Sequence, residues 1–336
     1  MGQKIFMRQL LKWDKSIQIH LIIVISDLMS RTIPPRLLRL NHDQLLSLLG
    51  CLAVFASAFC FYMSTVAIQW SRSRVAIDAS YFVFARFLLG FIVVFTVMKI
   101  RQRRLNLVNH HLLLGRTLSN CAAVYCFFKA VTVTTVAQAN ILNMTYPLFI
   151  AIFTWIFLKK QRDRIALAMV MVAFTGVWLV LSPGRFGLNP NHIWGLMSGL
   201  TAAAAIIYLN LSRQHHDTHT ILFYMFGLGS VVIYLMFYQH IFFPDAIEFY
   251  YLALCAGTGI AGQYLLTLGF RYVTAVEGGI ISSTRILLAA LFGPLLVAEP
   301  ALTLAGWAGA LLIFSANVVL AARKTKNVME DGGSME

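Results

Sequence analysis

The sequence predicts an all-α polytopic membrane protein, with ten membrane-spanning helices arranged as two inverted five-helix repeats. Three observations lead there. Hydrophobic residues make up 59% of the 336 and charged residues 12%, which excludes a disordered chain and a typical soluble enzyme. Apolar runs of the length that crosses a bilayer recur ten times. Lys and Arg are dense in alternate connections and sparse in the others, as the positive-inside rule expects. The runs lack the apolar–polar alternation of barrel strands, so helices remain as the way to satisfy the backbone in lipid.

Residues 1–43 are read as a cytoplasmic segment carrying Lys4, Arg8, Lys12, Lys15, Arg31, Arg36 and Arg39. Within it, Ile17 to Met29 is apolar but too short to span, contains His20 and Asp27, and is followed by no small-residue cleavage site. It predicts an interfacial helix on the cytoplasmic face. A misassigned start codon is the alternative, in which case residues 1–28 are not native. The ten runs follow at approximately 45–68, 79–100, 112–131, 136–158, 165–182, 193–212, 219–240, 248–270, 275–297 and 301–321. Connections after the even-numbered runs hold Lys99, Arg101, Arg103 and Arg104, then Lys159, Lys160, Arg162 and Arg164, then Arg213, then Arg271, with Arg323, Lys324 and Lys326 in the tail. The opposite connections hold Arg72, Arg74 and Arg185. Both termini are therefore expected in the cytoplasm, and the chain in a membrane such as the bacterial inner membrane. Trp70, Trp178, Trp194 and Trp307 fall towards the outer ends, where an aromatic belt belongs. The net charge of +14 is spread through these connections, which argues against nucleic acid as a partner.

Sliding the chain on itself by 139 residues aligns the third to fifth runs with the eighth to tenth. Tyr125 falls on Tyr264, Thr135 on Thr274, Thr145 on Thr284 and Phe153 on Phe292. Five helices per half is an odd number, so the halves insert with opposite orientation. Secondary transporters recur in this form, with the substrate near the midplane between halves. The expected division is a first repeat over 44–182, a second over 183–322 and a cytoplasmic tail over 323–336.

The stretch "FFKAVTVTTVAQANILNMTYPLFIAIFTWIFLKK", followed by "RIALAMVMVAFTGVWLVL", resembles the EamA repeat of the drug/metabolite transporter superfamily. The second copy is "YLLTLGFRYVTAVEGGIISSTRILLAALFGPLLVAEPALTLAGWAGALLIFSANVVL". The resemblance covers about residues 45–322. It implies ten helices, both termini inside and a central cavity open to one side at a time. Repeats of that family usually carry a Glu after the fourth helix of each half; Glu299 keeps it, and Lys160 replaces it in the first half. The segments "FARFLLGFIVVF", "LLLGRTLSN" and "ISSTRILLAALFG", with Arg86, Arg116 and Arg285, are similar to the branch that includes S-adenosylmethionine transporters, without fixing a substrate.

Arg285 lies about ten residues into the ninth run, near mid-depth at about 1.5 Å per residue. A charge there costs at least about 2.5–3.5 kcal/mol on insertion scales, so it should face a cavity or a partner. As a planar fork of donors it suits a carboxylate or phosphate, or else bonds backbone carbonyls or a hydroxyl as a packing element. Arg86 either reaches the same cavity or snorkels outward, while Arg116 and Lys129 lie nearer helix ends. The fourth run places Asn140, Asn143 and Pro147 on one face, with Thr145 and Tyr146 beside them, as a cavity wall or as interhelical glue. Pro147 should kink that helix. Ser282, Ser283 and Thr284 on the ninth run, Gln263 and Tyr264 on the eighth, and Asn120 and Tyr125 on the third would complete a polar chamber. Excess positive charge favours an anionic or zwitterionic small metabolite.

Other patterns carry less. Gly257 to Gly262 reads as GxGxxG but sits inside an apolar run, where it and Gly195 to Gly199 read as close-packing glycines. His215 and His219 stand four apart in a short polar connection, thin support for a metal or for a membrane enzyme. Asn143 and Asn210 match the glycosylation pattern but are placed in the membrane. The five cysteines lie in apolar runs and read as packing residues. No cofactor, metal or catalytic group is called for. The expected activity is secondary transport, driven by exchange, by facilitated diffusion, or by protons through a helix-end acid such as Glu277. A membrane-embedded enzyme or lipid-handling protein and a non-transporting scaffold are the alternatives.

Overall fold

The computed structural model describes residues 42–100, 102, 109–157, 164–181, 190–212, 215–269, 272–273 and 275–332. The predicted interfacial helix, Lys160 and the other residues between these stretches lie outside it. The chain divides into two compact units, 1–48 and 49–336. Among the described residues every regular element is helical. In order they are α1 (His42–Ser71), α2 (Ala79–Ile100), α3 (His110–Val133), α4 (Val136–Asn143), α5 (Tyr146–Phe157), α6 (Arg164–Leu181), α7 (His192–Ser212), α8 (Thr218–Phe237), α9 (Ala246–Gly269), α10 (Ala275–Val297) and α11 (Leu304–Gly332). Helices α4 and α5 are the two halves of the fourth run, so the ten predicted runs are the ten spans of a multi-pass membrane protein. Taking α4 and α5 together, five spans are long and apolar enough to cross a membrane, and three shorter apolar segments, in α6, α10 and α11, accompany them.

The few acids near helix starts act as caps. Asp78 accepts from the Ser80 N–H at 2.8 Å at the start of α2. Asp217 accepts from the Thr220 N–H at 3.4 Å at the start of α8, so the His215–His219 stretch is a helix start, with His216 buried against the Ser212 carbonyl. Asp245 accepts from the Ile247 and Glu248 N–H groups while Glu248 accepts from the Asp245 N–H, a reciprocal capping box opening α9. Carboxylates in these places also oppose the positive ends of helix dipoles.

The pattern of packing is that of two related halves. The second run packs on the seventh, the fourth on the ninth and the fifth on the tenth; the second also meets the eighth, just as the third meets the seventh. Exchanging first-half and second-half numbers maps each of these contacts onto itself or onto its counterpart. The side chains repeat the relation. The Phe87 ring packs where a Cβ on Gly229 would sit, and the Phe226 ring packs where a Cβ on Gly90 would sit. Phe87 and Phe226 are 139 positions apart, as are Gly90 and Gly229, and the two rings meet edge to face at 5.9 Å. The twofold relation therefore extends into the second and seventh runs.

Between helices in lipid, apolar burial alone gives no net drive, so close approach and hydrogen bonds hold the bundle together. Glycines provide the approach: Gly50 against Gly269 brings α1 onto α9, and Gly176 against Gly309 brings α6 onto α11. The outward surface is left apolar, with Phe55, Ile92, Leu235 and Leu295 exposed to the hydrocarbon.

The fourth run is broken rather than kinked. Its first half ends at Asn143 and its second starts at Tyr146. Pro147 has no N–H for the carbonyl of Asn143. Upstream of it, the Thr145 hydroxyl donates to the Leu142 carbonyl at 2.6 Å and competes with the helix ladder. Asn317 on α11 donates to the carbonyl of Met144 at 3.0 Å, satisfying a backbone group that the break exposes.

Candidate functional site

At the break, α4 packs against α10, the repeat-related span. Arg285 sits at the middle of α10, is 6% exposed, and donates from Nη2 to the side-chain oxygen of Asn143 at the end of α4. Asn143 in turn donates to the Ser198 hydroxyl of α7 at 3.1 Å, and Ser198 donates to the Gly195 carbonyl. Tyr146 is 139 positions before Arg285 and lies within electrostatic reach of its guanidinium. Arg285 and Tyr146 are therefore equivalent positions of the two halves that sense each other's charge. Nε of Arg285 is buried without a hydrogen-bond partner.

Arg86 comes from α2 and is 7% exposed. Its guanidinium carbon lies 5.4 Å from the centre of the Phe61 ring and 5.9 Å from that of Phe128. The Arg285 guanidinium carbon lies 5.9 Å from the same Phe61 ring and 5.2 Å from Phe127. One ring of α1 thus bridges two cations, each of which also meets one of two adjacent phenylalanines of α3. The glycine pattern in α9 serves this arrangement. A Cβ on Gly259 would come within 3.1 Å of Nε of Arg86, and one on Gly262 within 3.0 Å of the Phe61 ring. These glycines make room for the site.

The remaining sequence candidates divide. Asn140 is fully buried and donates to the Thr65 hydroxyl at 3.1 Å and to the Val136 carbonyl at 2.8 Å, which ties α4 to α1. Ser282 and Asn120 are half-buried, and the hydroxyl of Thr284 bonds back to its own helix at the Ile281 carbonyl. Gln263 and Tyr264 are half-buried on α9, with interactions of their own. Tyr125 stacks on Phe237 at 4.7 Å and meets Trp194 edge to face at 6.0 Å, within reach of Asp78. It therefore belongs to an aromatic layer at the end of the bundle that carries the 72–78 connection. Lys129 is at that end too, 3.9 Å from the Asp78 carboxylate, so an acid does neutralise one of the four basic residues placed inside the runs. Burial tends to raise the Asp78 carboxyl, but its bonds from Ser80 and the charge of Lys129 outweigh this and hold it below the usual range. Arg116 is buried and has an interaction of its own. The side chain of Glu277 lies outside the described residues. Phe61, Phe127, Phe128, Ser198 and Asn317 were not among the sequence candidates.

Three further hydrogen bonds join elements at the same end. Trp70 donates to the Leu296 carbonyl at 2.7 Å, Tyr81 donates to the Phe242 carbonyl at 2.7 Å, and the Val136 N–H donates to Oε1 of Glu299 at 2.7 Å. Glu299 thus caps α4 from the connection after α10. Burial pushes its carboxyl above the usual carboxylate range, against the pull of the Val136 and Ala137 N–H groups and of Arg72. A raised value in the fold means that this group's contribution is complete below the ordinary carboxylate value and is lost as pH rises through the raised one. The melting temperature in detergent should fall over that rise, and Glu299→Gln should remove that part of the slope. Glu299→Ala, which deletes the cap, should cost about 0.5–2 kcal/mol at acid pH and less above the raised value. An unchanged slope in the Gln variant would assign the titration to another group.

The sequence matches the EamA-like transporter family over residues 48–182 and again over 189–322. The pseudopaline exporter CntI of Pseudomonas aeruginosa is 25% identical over 76% of this chain and 91% of its own. An uncharacterized transporter of Helicobacter pylori is 27% identical over 59% of this chain and 69% of its own. Mouse solute carrier family 35 member G1 is 24% identical over 53% of this chain and 52% of its own. A solved crystal structure shares the fold, with a TM-score of 0.54 at 19% identity over 81% of this chain and 95% of that one.

Proposed function

The chain belongs to the EamA-like transporter family, a family of membrane transporters, and from that premise we propose that it is a secondary carrier for a small anionic or zwitterionic metabolite. It works by alternating access between a first repeat over 44–182 and a second over 183–322. The observation that carries the anionic reading is Arg285. This charge sits at mid-helix, and among the described residues its one hydrogen-bond partner is the neutral Asn143. A buried guanidinium with unused donors is complementary to a carboxylate or phosphate. The broken fourth span supports the moving part of the reading, since discontinuous helices at the repeat interface are where carriers bind and rearrange. In this reading both termini lie in the cytoplasm of a bacterial inner-membrane protein, and the Glu299 and Trp70 contacts then lie on the outer side.

Counterflow in proteoliposomes tests the carrier. Vesicles loaded with a carboxylate, an amino acid, a nucleotide, a sugar or an organic cation are diluted into the same labelled solute. At least one acid or amino acid should accumulate transiently, above protein-free vesicles and dependent on internal solute. Accumulation confined to neutral or cationic solutes would sink the anionic reading, and none with any class would sink the carrier.

A further inference from the structure

The two arginines share one ring and no counter-charge. Among the described residues no carboxylate pairs with Arg86 or Arg285, and the two guanidiniums are within electrostatic reach of each other. Arg86 makes no hydrogen bond among the described residues, although 93% of it is buried. Arg285 uses one nitrogen on Asn143 and leaves Nε buried and unpartnered. Contact with aromatic faces offsets part of the cost of burying each cation. Burying each charge at membrane depth is costly, and their mutual repulsion adds to that. The rings supply no anion, so among the described residues Phe61 sits between two cations that have no counter-charge.

One anion would neutralise half of this arrangement. Resting on the carrier reading above, we propose that the substrate carries two anionic groups at once, one for the Arg285 fork beside Asn143 and one for Arg86 over Gly259, with its linking carbons against Phe61. The halves contribute unequally, which gives the site a direction. The repeat equivalent of Arg285 is Tyr146 and that of Arg86 is Met225, so each anionic group has one place to go. Gly259 belongs to the same site, because a side chain there would press on Nε of Arg86 at 3.1 Å.

Linear dicarboxylates of three to six carbons, each beside its monomethyl ester, test this on the full-length protein. Binding is read by thermal stabilisation in detergent and by inhibition of counterflow. At least one diacid should bind tenfold or more tighter than its ester. In Arg86→Gln the ratio should collapse to within about threefold, with the diacid weakened and the ester little changed. Gly259→Ala, which displaces Arg86 without removing its charge, should lower the ratio as well. If esters and diacids bind alike in the wild type, the two-anion site is wrong while a carrier for monoanions stands. A ratio that survives in both variants would place the second anion elsewhere and also overturn it. Stabilisation by none of these acids, in a protein that carries out counterflow of another solute, would overturn the proposal alone; absence of any counterflow would remove the carrier reading beneath it.

Discussion

Arg285→Ala should abolish substrate-induced stabilisation and reduce counterflow by roughly 30-fold to several thousand-fold, while leaving the unliganded protein about as stable as the wild type. The first figure follows from removing one member of a buried charged contact, about 2–5 kcal/mol, at about 1.4 kcal/mol per tenfold. The second follows from what the apo protein loses and gains. The variant leaves the side-chain oxygen of Asn143 without its donor, a cost of about 1–3 kcal/mol. It also removes a 6%-exposed cation from mid-membrane, a relief of similar size. A residue that merely glued α10 to α4 would behave in the opposite way, with a large fall in apo melting temperature and unchanged ligand response among the molecules that remain folded. Arg285→Lys separates charge from geometry. It keeps the cation but loses the planar fork, so binding should be intermediate. If Arg285→Ala retained the full ligand shift, the anion site would lie elsewhere in the bundle.

The parts of this molecule that could be read from the sequence are those set by strong, local signals. Ten apolar runs are visible because a span needs some twenty such residues in succession, and the 139-residue shift is visible because both halves keep the same spacing. Arg285 is visible because a charge at mid-span is costly. The surroundings of Arg285 are not visible in the same way. Phe61, Phe127 and Phe128 form the aromatic faces under both arginines, yet a phenylalanine in an apolar run carries no mark of what it touches. Pro147 announced a disturbance of the fourth span but not its place. That depends on the Thr145 hydroxyl and on Asn317, which reaches the Met144 carbonyl from 173 residues away. The partner of Lys129 was not visible either, because its acid, Asp78, stands in a connection distant along the chain. Tyr125 looked like a cavity residue because a polar aromatic in a run suits either the chamber or the aromatic layer where it stacks on Phe237. The glycines of α9 were legible as close packing, but it is their neighbours, Arg86 and Phe61, that connect them to the site.

The strongest structural effect should come from Gly309, where backbone meets backbone. A Cβ on Gly176 would lie 2.7 Å from the Gly309 carbonyl oxygen, and a Cβ on Gly309 would meet the Gly176 carbonyl in the same way. Rings such as Phe226 at Gly90 can turn aside. A carbonyl in a helix ladder cannot, so α6 and α11 would have to separate along their whole contact. Gly309→Ala should therefore cost about 1–3 kcal/mol, and Gly309→Val should exceed that range and leave little folded protein after extraction. Because each glycine abuts the other's backbone, the two sites are coupled. Once one Cβ has parted the helices, the second meets less resistance, so Gly176→Ala with Gly309→Ala should cost less than the sum of the singles. Gly257→Ala is the control: nothing lies within 4 Å of its Cβ position, and alanine should be neutral or stabilising by up to about 1 kcal/mol. Melting of these five variants in detergent, Gly176→Ala alone included, followed by size exclusion, would decide it. A Gly309→Ala protein as stable as Gly257→Ala would mean that the fifth and tenth spans do not meet through these glycines. The pairing across the twofold axis would then rest on the second and seventh spans, where Phe87 meets Gly229, and on the fourth and ninth, where Arg285 meets Asn143.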